Sequence, residues 1–166
     1  MSNGMALDTF WVQDLAGRPF DRPDKLARLA VIFENVLTGD LKPHREFARP
    51  SAFPSRMQVF TVMPRVLVDN NASASHTVIE VNGRDRPGLL YEVTRELTRL
   101  NLQISSAKIS TYGEKVVDVF YVKNLFGHKV EQPAKLAEVR ETLEAVLAKG
   151  NEAPRPEIPA ERVAAE

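Results

Sequence analysis

The chain has no cysteine. Disulfides, thiolate metal sites and cysteine nucleophiles are therefore excluded. It has no charge excess, since Lys+Arg and Asp+Glu each count 22. That balance argues against a general nucleic-acid surface or a polybasic membrane patch, both of which need a basic face. It has no apolar run near the ~20 residues that cross a bilayer. Its first residues, Met1-Ser2-Asn3-Gly4, lack the basic and apolar regions of a secretory signal. A soluble cytoplasmic protein is the expectation. The 166 residues suit one medium domain or two small ones.

An internal repeat organises the chain. Leu7-Asp8-Thr9-Phe10-Trp11-Val12-Gln13-Asp14-Leu15-Ala16-Gly17 matches Val117-Asp118-Val119-Phe120-Tyr121-Val122-Lys123-Asn124-Leu125-Phe126-Gly127 at an offset of 110 residues. The match resumes as Pro23-Asp24-Lys25-Leu26-Ala27 against Pro133-Ala134-Lys135-Leu136-Ala137 and closes at Val36-Leu37 against Val146-Leu147. A strand, a glycine turn and a helix recurring in register read as two copies of one small unit.

The second copy is legible throughout. Residues 77–81 are β-branched and partly alternating, which predicts a strand. Residues 87–100 predict a helix with Leu89, Leu90, Val93, Leu97 and Leu100 along one stripe. Residues 103–111 predict a second strand, 112–115 a turn and 116–122 a third strand in a hairpin with it. Residues 133–149 predict a second helix, with Leu136, Val139, Leu143 and Val146 at helical spacing and Gly150 at its end. This order gives an α+β class, a ferredoxin-like βαββαβ unit with an antiparallel sheet and helices on one face, lacking an obvious fourth strand.

The first copy reads as truncated. Residues 1–39 hold its C-terminal half, without the first strand, first helix and second strand. Residues 40–75 read as a linker with candidate strands at 58–62 and 65–69, either of which could complete the first copy. Within it Asn70 to Ser75 is expected to be a flexible joint. Residues 76–150 form the second copy, and 151–166, with Pro154, Pro156 and Pro159, read as a disordered tail.

The candidate site is Arg84-Asp85-Arg86-Pro87-Gly88-Leu89-Leu90. Asp85 or Arg86 can sit near a helix cap, and Pro87 fits a first turn, where its missing N–H costs nothing. From Leu89 onward, backbone N–H groups and the positive end of the helix dipole favour a carboxylate. Gly88 costs ~1 kcal/mol of helix propensity relative to Ala, and its missing Cβ would admit a ligand or a neighbouring backbone. Asp85 could bind an α-ammonium group. The same residues also make an ordinary turn into a helix, and on the residues alone both readings stay open.

Asp85-Arg86-Pro87-Gly88-Leu89-Leu90, Leu100-Asn101-Leu102-Gln103-Ile104 and Val117-Asp118-Val119-Phe120-Tyr121-Val122 resemble an ACT domain. With Asn3-Gly4-Met5-Ala6-Leu7-Asp8-Thr9-Phe10 and Pro64-Arg65-Val66-Leu67-Val68-Asp69-Asn70, residues 3–150 resemble the C-terminal tandem ACT region of the bifunctional PII-protein uridylyltransferase/uridylyl-removing enzymes. The resemblance implies an amino-acid sensor reading glutamine, with Gln103 as a further ligand contact reached from a neighbouring ACT unit. It implies ACT–ACT self-association, upstream nucleotidyltransferase and HD-type phosphohydrolase domains, and the PII protein as partner. It places Mg2+ only in those catalytic domains. Neither the metal-binding Asp pair of the first nor the His-Asp doublet of the second occurs in this sequence, so no catalytic or metal residue is assigned and no cofactor is expected in this chain. A ligand-free dimerisation or docking module is the alternative.

Other candidates have plainer readings. His44, His76 and His128 stand alone, as surface or turn histidines. Phe10, Trp11, Phe120 and Tyr121 read as sheet packing. Asp8 and Asp118 share a repeat position and read as hydrogen-bonding to a neighbouring turn. Lys42, His44, Arg45, Arg49 and Arg56 form a loose basic linker.

Overall fold

The computed structural model describes residues 8–14, 16–43 and 62–149. The chain divides into two compact units, Met1–Glu46 and Phe47–Glu166. Candidate strand 58–62, apart from Val62, and the tail 151–166 lie outside the described residues, as do the first seven residues.

In the first unit the repeat is realised as a turn and a helix. Helix α1 spans Pro23–Thr38, and its counterpart in the second unit spans Pro133–Ala148, the same 16 residues displaced by 110. The preceding turns also agree. Asp14 Oδ1 accepts the N–H groups of Ala16 and Arg18 at 2.8 and 3.0 Å, and Asn124 Oδ1 accepts those of Phe126 and His128 at 2.9 and 3.0 Å. Gly17 and Gly127 follow at φ 74° and 81°, a left-handed conformation that glycine adopts without penalty. The repeat therefore extends to individual hydrogen bonds.

Among the described residues of the first unit the repeated strand does not form. Residues 8–12 contain no strand, and only Gln13 and Pro19 make a β-bridge. Phe10, Trp11 and Val12 are exposed, whereas Phe120 and Val122 are fully buried. An extended segment is held by neighbours that satisfy its backbone groups and cover its side chains. Residues 8–12 have no such strands among the described residues. Helix α1 likewise buries no residue, and Phe33 stacks on Phe10 at 5.4 Å.

The second unit holds β1 (Arg65–Asp69), β2 (Thr77–Arg84), α2 (Leu89–Arg99), β3 (Leu102–Lys108), β4 (Thr111–Tyr112), β5 (Lys115–Asn124) and α3 (Pro133–Ala148). The antiparallel sheet runs β1-β2-β5-β3, with the short β4 also on β5. Residues Ile79, Val81, Phe120 and Val122 on one sheet face pack against Val93 and Leu97 of α2 and Val139 and Leu143 of α3. Each fully buried side chain of this size contributes about 1.5–3 kcal/mol. Both helices thus cover one face.

The missing fourth strand is supplied from the N-terminal side. Strand β1 pairs antiparallel with β2, Val66 opposite Val81 and Val68 opposite Ile79. Of the two candidate strands, 65–69 completes the second copy. The connection from β1 to β2, expected to be a loose joint, is tied down. Thr77 Oγ1 donates to Asn70 Oδ1 at 2.6 Å, the Val130 N–H donates to Thr77 Oγ1 at 2.9 Å, and Asn70 Nδ2 donates to the Val130 carbonyl at 2.8 Å. Polar residues that read as a linker are here consumed in closing a β-hairpin onto the segment before α3.

Smaller differences have local causes. Helix α2 begins at Leu89, two residues later than expected, because Gly88 takes φ 82° and cannot continue an α-helix. The second strand is in two pieces: β3 passes through a register shift between Ile104 and Ser106 and ends at Lys108, and β4 carries the hairpin on to Tyr112. Leu90, read as part of the core stripe, is 41% exposed.

Candidate functional site

The loop from Arg84 to Leu89 leaves the end of β2 and is anchored on both sides. The Asp85 N–H donates to the Glu114 carbonyl at 2.7 Å in the β4–β5 turn. Arg84 Nη2 meets Glu114 Oε2 at 3.3 Å. The Leu89 N–H returns to the Arg86 carbonyl at 3.1 Å, and the Glu92 N–H to the Gly88 carbonyl at 3.0 Å. The glycine is thus required by the left-handed turn itself, beyond any need for ligand space.

Arg86 is directed into the fold. Its guanidinium grips the Glu92 carboxylate through Nη1 and Nη2 at 2.8 and 2.9 Å, and Nη2 also donates to the Val146 carbonyl at 3.2 Å. It fastens the start of α2 to the end of α3. A cation near the final carbonyls of α3 is also favoured by that helix's dipole. The Arg86 hydrogen bond holds the Glu92 carboxyl below its ordinary range, against the opposing effect of burial. Arg86 Nε is buried with no partner. Glu92 was not foreseen as a partner, although an acid in the first turn of a helix was a visible signal.

The Asp85 carboxylate is different. It is exposed and makes no hydrogen bond among the described residues. At the same end of the sheet lies Asp118 on β5, opposite Val81 and only 3% exposed. Its Oδ1 accepts the Ser110 N–H at 3.2 Å, the turn hydrogen bond expected from the repeat position. Burial pushes the Asp118 carboxyl up to about 6, the Ser110 bond opposes that rise, and the Asp85 charge adds to it. The loop therefore combines acidic character at the β2 end with the positive start of α2. An α-amino acid carries the complementary pair, an ammonium and a carboxylate.

The structure brings Asp85, Arg86, Pro87, Gly88, Leu89 and Leu90 together, with Leu89 buried and Leu90 facing solvent. It does not bring Gln103 to them. Gln103 pairs with Lys123 at the far end of β5, while Arg84 pairs with Lys115 at the near end. Eight residues of strand separate the two ends by about 25 Å. Within one unit Gln103 cannot share a ligand with the loop. Among the described residues, no three His, Asp or Glu side chains are grouped to hold a metal ion, and no helix is long and apolar enough to cross a membrane.

Five antiparallel strands, two helices on one face and a glycine turn opening the first helix define a small α+β module, and residues 72–150 match the ACR family N-terminal ACT domain. This part of the chain is an ACT domain. More specifically, most of the chain is similar to a part of bifunctional uridylyltransferase/uridylyl-removing enzymes. It is 64% identical over 150 residues to the bifunctional uridylyltransferase/uridylyl-removing enzyme of Azospirillum brasilense, covering 89% of this chain and 16% of that protein. The enzymes of the same name from Rhodospirillum rubrum and Nitrobacter hamburgensis are 56% and 41% identical, over 89% and 92% of this chain and 16% of each relative. The chain thus spans less than a fifth of the relatives it matches. No solved structure matches it.

Proposed function

We propose that this chain is the amino-acid-sensing regulatory region of a bifunctional PII-protein uridylyltransferase/uridylyl-removing enzyme, acting in the cytoplasm, and that its ligand is glutamine. The observation that carries the reading is the loop of Asp85 to Leu90, which presents an unpaired carboxylate beside the positive start of α2. Asp85 takes the α-ammonium, and the α2 N-terminus takes the α-carboxylate. Leu90, exposed beside them, offers apolar contact to the ligand's methylenes. Gln103 enters such a site only from a neighbouring ACT unit. Ligand binding that differs between two arrangements of the parent enzyme would then bias its uridylyl-transferring and uridylyl-removing activities toward PII. Mg2+ belongs to those catalytic domains.

Isothermal titration of the chain with glutamine tests this. Saturable binding in the millimolar range, about 4 kcal/mol, is expected, with Asp85→Asn weakening it about tenfold. Absence of binding by glutamine and by every other amino acid would refute it. A ligand-free docking role is favoured by one observation: β3 is an edge strand exposed from Gln103 to Lys108, a template for pairing with another chain. Sedimentation showing association that Ser106→Pro abolishes, in a chain that binds no amino acid, would establish that role instead.

A further inference from the structure

A second site lies at the other end of the sheet. A cavity of about 920 Å³ opens between the α2–β3 connection, the turn after β5 and the start of α3. Lys123, Lys129 and Lys135 line it, with Glu131 as their one acidic companion, while Leu102 and Phe126 supply apolar wall. The cavity is of the size that takes a small metabolite.

Two of the three lysines, Lys123 and Lys129, have no carboxylate partner among the described residues. Lys129 Nζ donates to the Asn70 carbonyl at 2.6 Å, which fixes the ammonium without cancelling its charge. Lys135, with its side chain 26% exposed, pairs with the half-exposed Glu138 at 2.8 Å. Lys123 has no carboxylate partner among the described residues. Helix α3 begins between these lysines with no side-chain cap and no acid in its first turn, which adds to the positive potential.

The repeat provides an internal control. The same turn in the first unit, residues 13–25, holds three acids and three bases, and residues 123–135 hold three lysines and one acid. In the first unit the acids are matched locally, Asp14 by Arg18 at 2.9 Å and Asp24 by Arg22 at 2.7 Å. In the second unit Asn124 and Ala134 replace those two acids. One backbone design thus occurs once self-neutralised and once with two of its three lysines, Lys123 and Lys129, without an acid partner beside a cavity.

We propose that this cavity binds a phosphate-bearing small molecule, its phosphate oxygens held by Lys123, Lys129 and Lys135 and its apolar part against Leu102 and Phe126. The site is separate from the Asp85–Leu90 loop and does not depend on what that loop binds.

Backbone amide NMR of the chain titrated with pyrophosphate, ATP and adenosine provides the test. Pyrophosphate and ATP are expected to give saturable shifts confined to residues 100–102 and 123–135, with adenosine alone giving none. Tighter ATP than pyrophosphate assigns a nucleotide, and equal affinity assigns the phosphate group itself. Lys123→Gln and Lys135→Gln should each weaken binding about tenfold, while Arg95→Gln, a charge on exposed α2, leaves it unchanged. No saturable shift with either phosphate compound, shifts spread evenly over surface lysines, binding of ATP without pyrophosphate, or affinity unaltered in both lysine variants would overturn the proposal.

Discussion

Replacing Arg86 by alanine should cost the second unit about 2 kcal/mol at neutral pH. Two charge-assisted hydrogen bonds to Glu92, at 2.8 and 2.9 Å, disappear, together with the contact to the Val146 carbonyl. Such bonds are worth about 1.5–3 kcal/mol each when buried. The side chains here are 22% and 29% exposed, so solvent screening reduces the sum to the lower figure. Urea unfolding followed by circular dichroism measures it, and in a unit of this size the melting temperature should fall by about 8–16 °C. A cycle with Glu92→Gln should give a coupling of about 1–2 kcal/mol. The pH dependence has a definite sign. Glu92 titrates lower in the folded state than in the unfolded chain. Its stabilisation is therefore complete above the unfolded value of about 4.3 and is lost as pH falls through the lower folded value. The deficit of the Arg86→Ala variant should shrink as the medium is acidified. A coupling below about 0.3 kcal/mol, or a deficit identical at neutral and strongly acid pH, would show that the pair does not hold α2 to α3.

Two further substitutions probe the same unit. Asp118 titrates up to about 6, so the folded state binds its proton more tightly than the unfolded chain, and this contribution is lost as pH rises from about 4 through about 6. Asp118→Asn retains an acceptor for the Ser110 N–H, and it should unfold with about 2 kcal/mol more stability than the parent at pH 8 and no advantage near pH 4; equal denaturation midpoints at pH 8 would refute the burial argument. A Cβ on Gly83 would lie 2.7 Å from Leu147 Cδ2, so Gly83→Ala should lower stability by about 1–3 kcal/mol in thermal unfolding, with partial recovery when Leu147→Val is added; an unchanged melting temperature would mean that α3 gives way without cost.

The repeat made the turn before α1 and the turn before α3 readable together, because Asp14 or Asn124 followed by glycine encodes its own local hydrogen bonds. The periodic leucines and valines of α2 and α3 named the core for the same reason. Properties that depend on distant neighbours were not readable. Residues 7–12 carry the same strand pattern as β5, yet the described residues 8–12 form no strand where no described strand flanks them. Residues 65–69 read as able to complete the first copy, and only the pairing of Val66 with Val81 shows that they complete the second. Asn70 to Ser75 has linker composition, but the hydroxyl of Thr77 and the backbone of Val130 turn it into a tight connection. At the candidate site, Asp85 and Gly88 were found from their place before a helix. The inward course of Arg86 was hidden because its partners, Glu92 and the Val146 carbonyl, lie six and sixty residues away. The resemblance made Gln103 a contact from a neighbouring ACT unit, and strand register puts it at the opposite end of the sheet from the loop of its own unit.

The place of β1 in the chain bears on how the second unit assembles. Asp69 and Val78 pair across nine residues. A strand following α3 would have to reach the same edge of β2 across about seventy. Loop-closure entropy grows with the logarithm of that span, and the shorter loop lowers its cost by about 2 kcal/mol. The β1–β2 hairpin is consequently a local event, available to the chain before either helix has packed. The β3–β4–β5 hairpin is local as well, with Tyr112 opposite Lys115, so the joining of β2 to β5, where even the nearest pair, Arg84 and Lys115, lies 31 residues apart, would set the pace of folding.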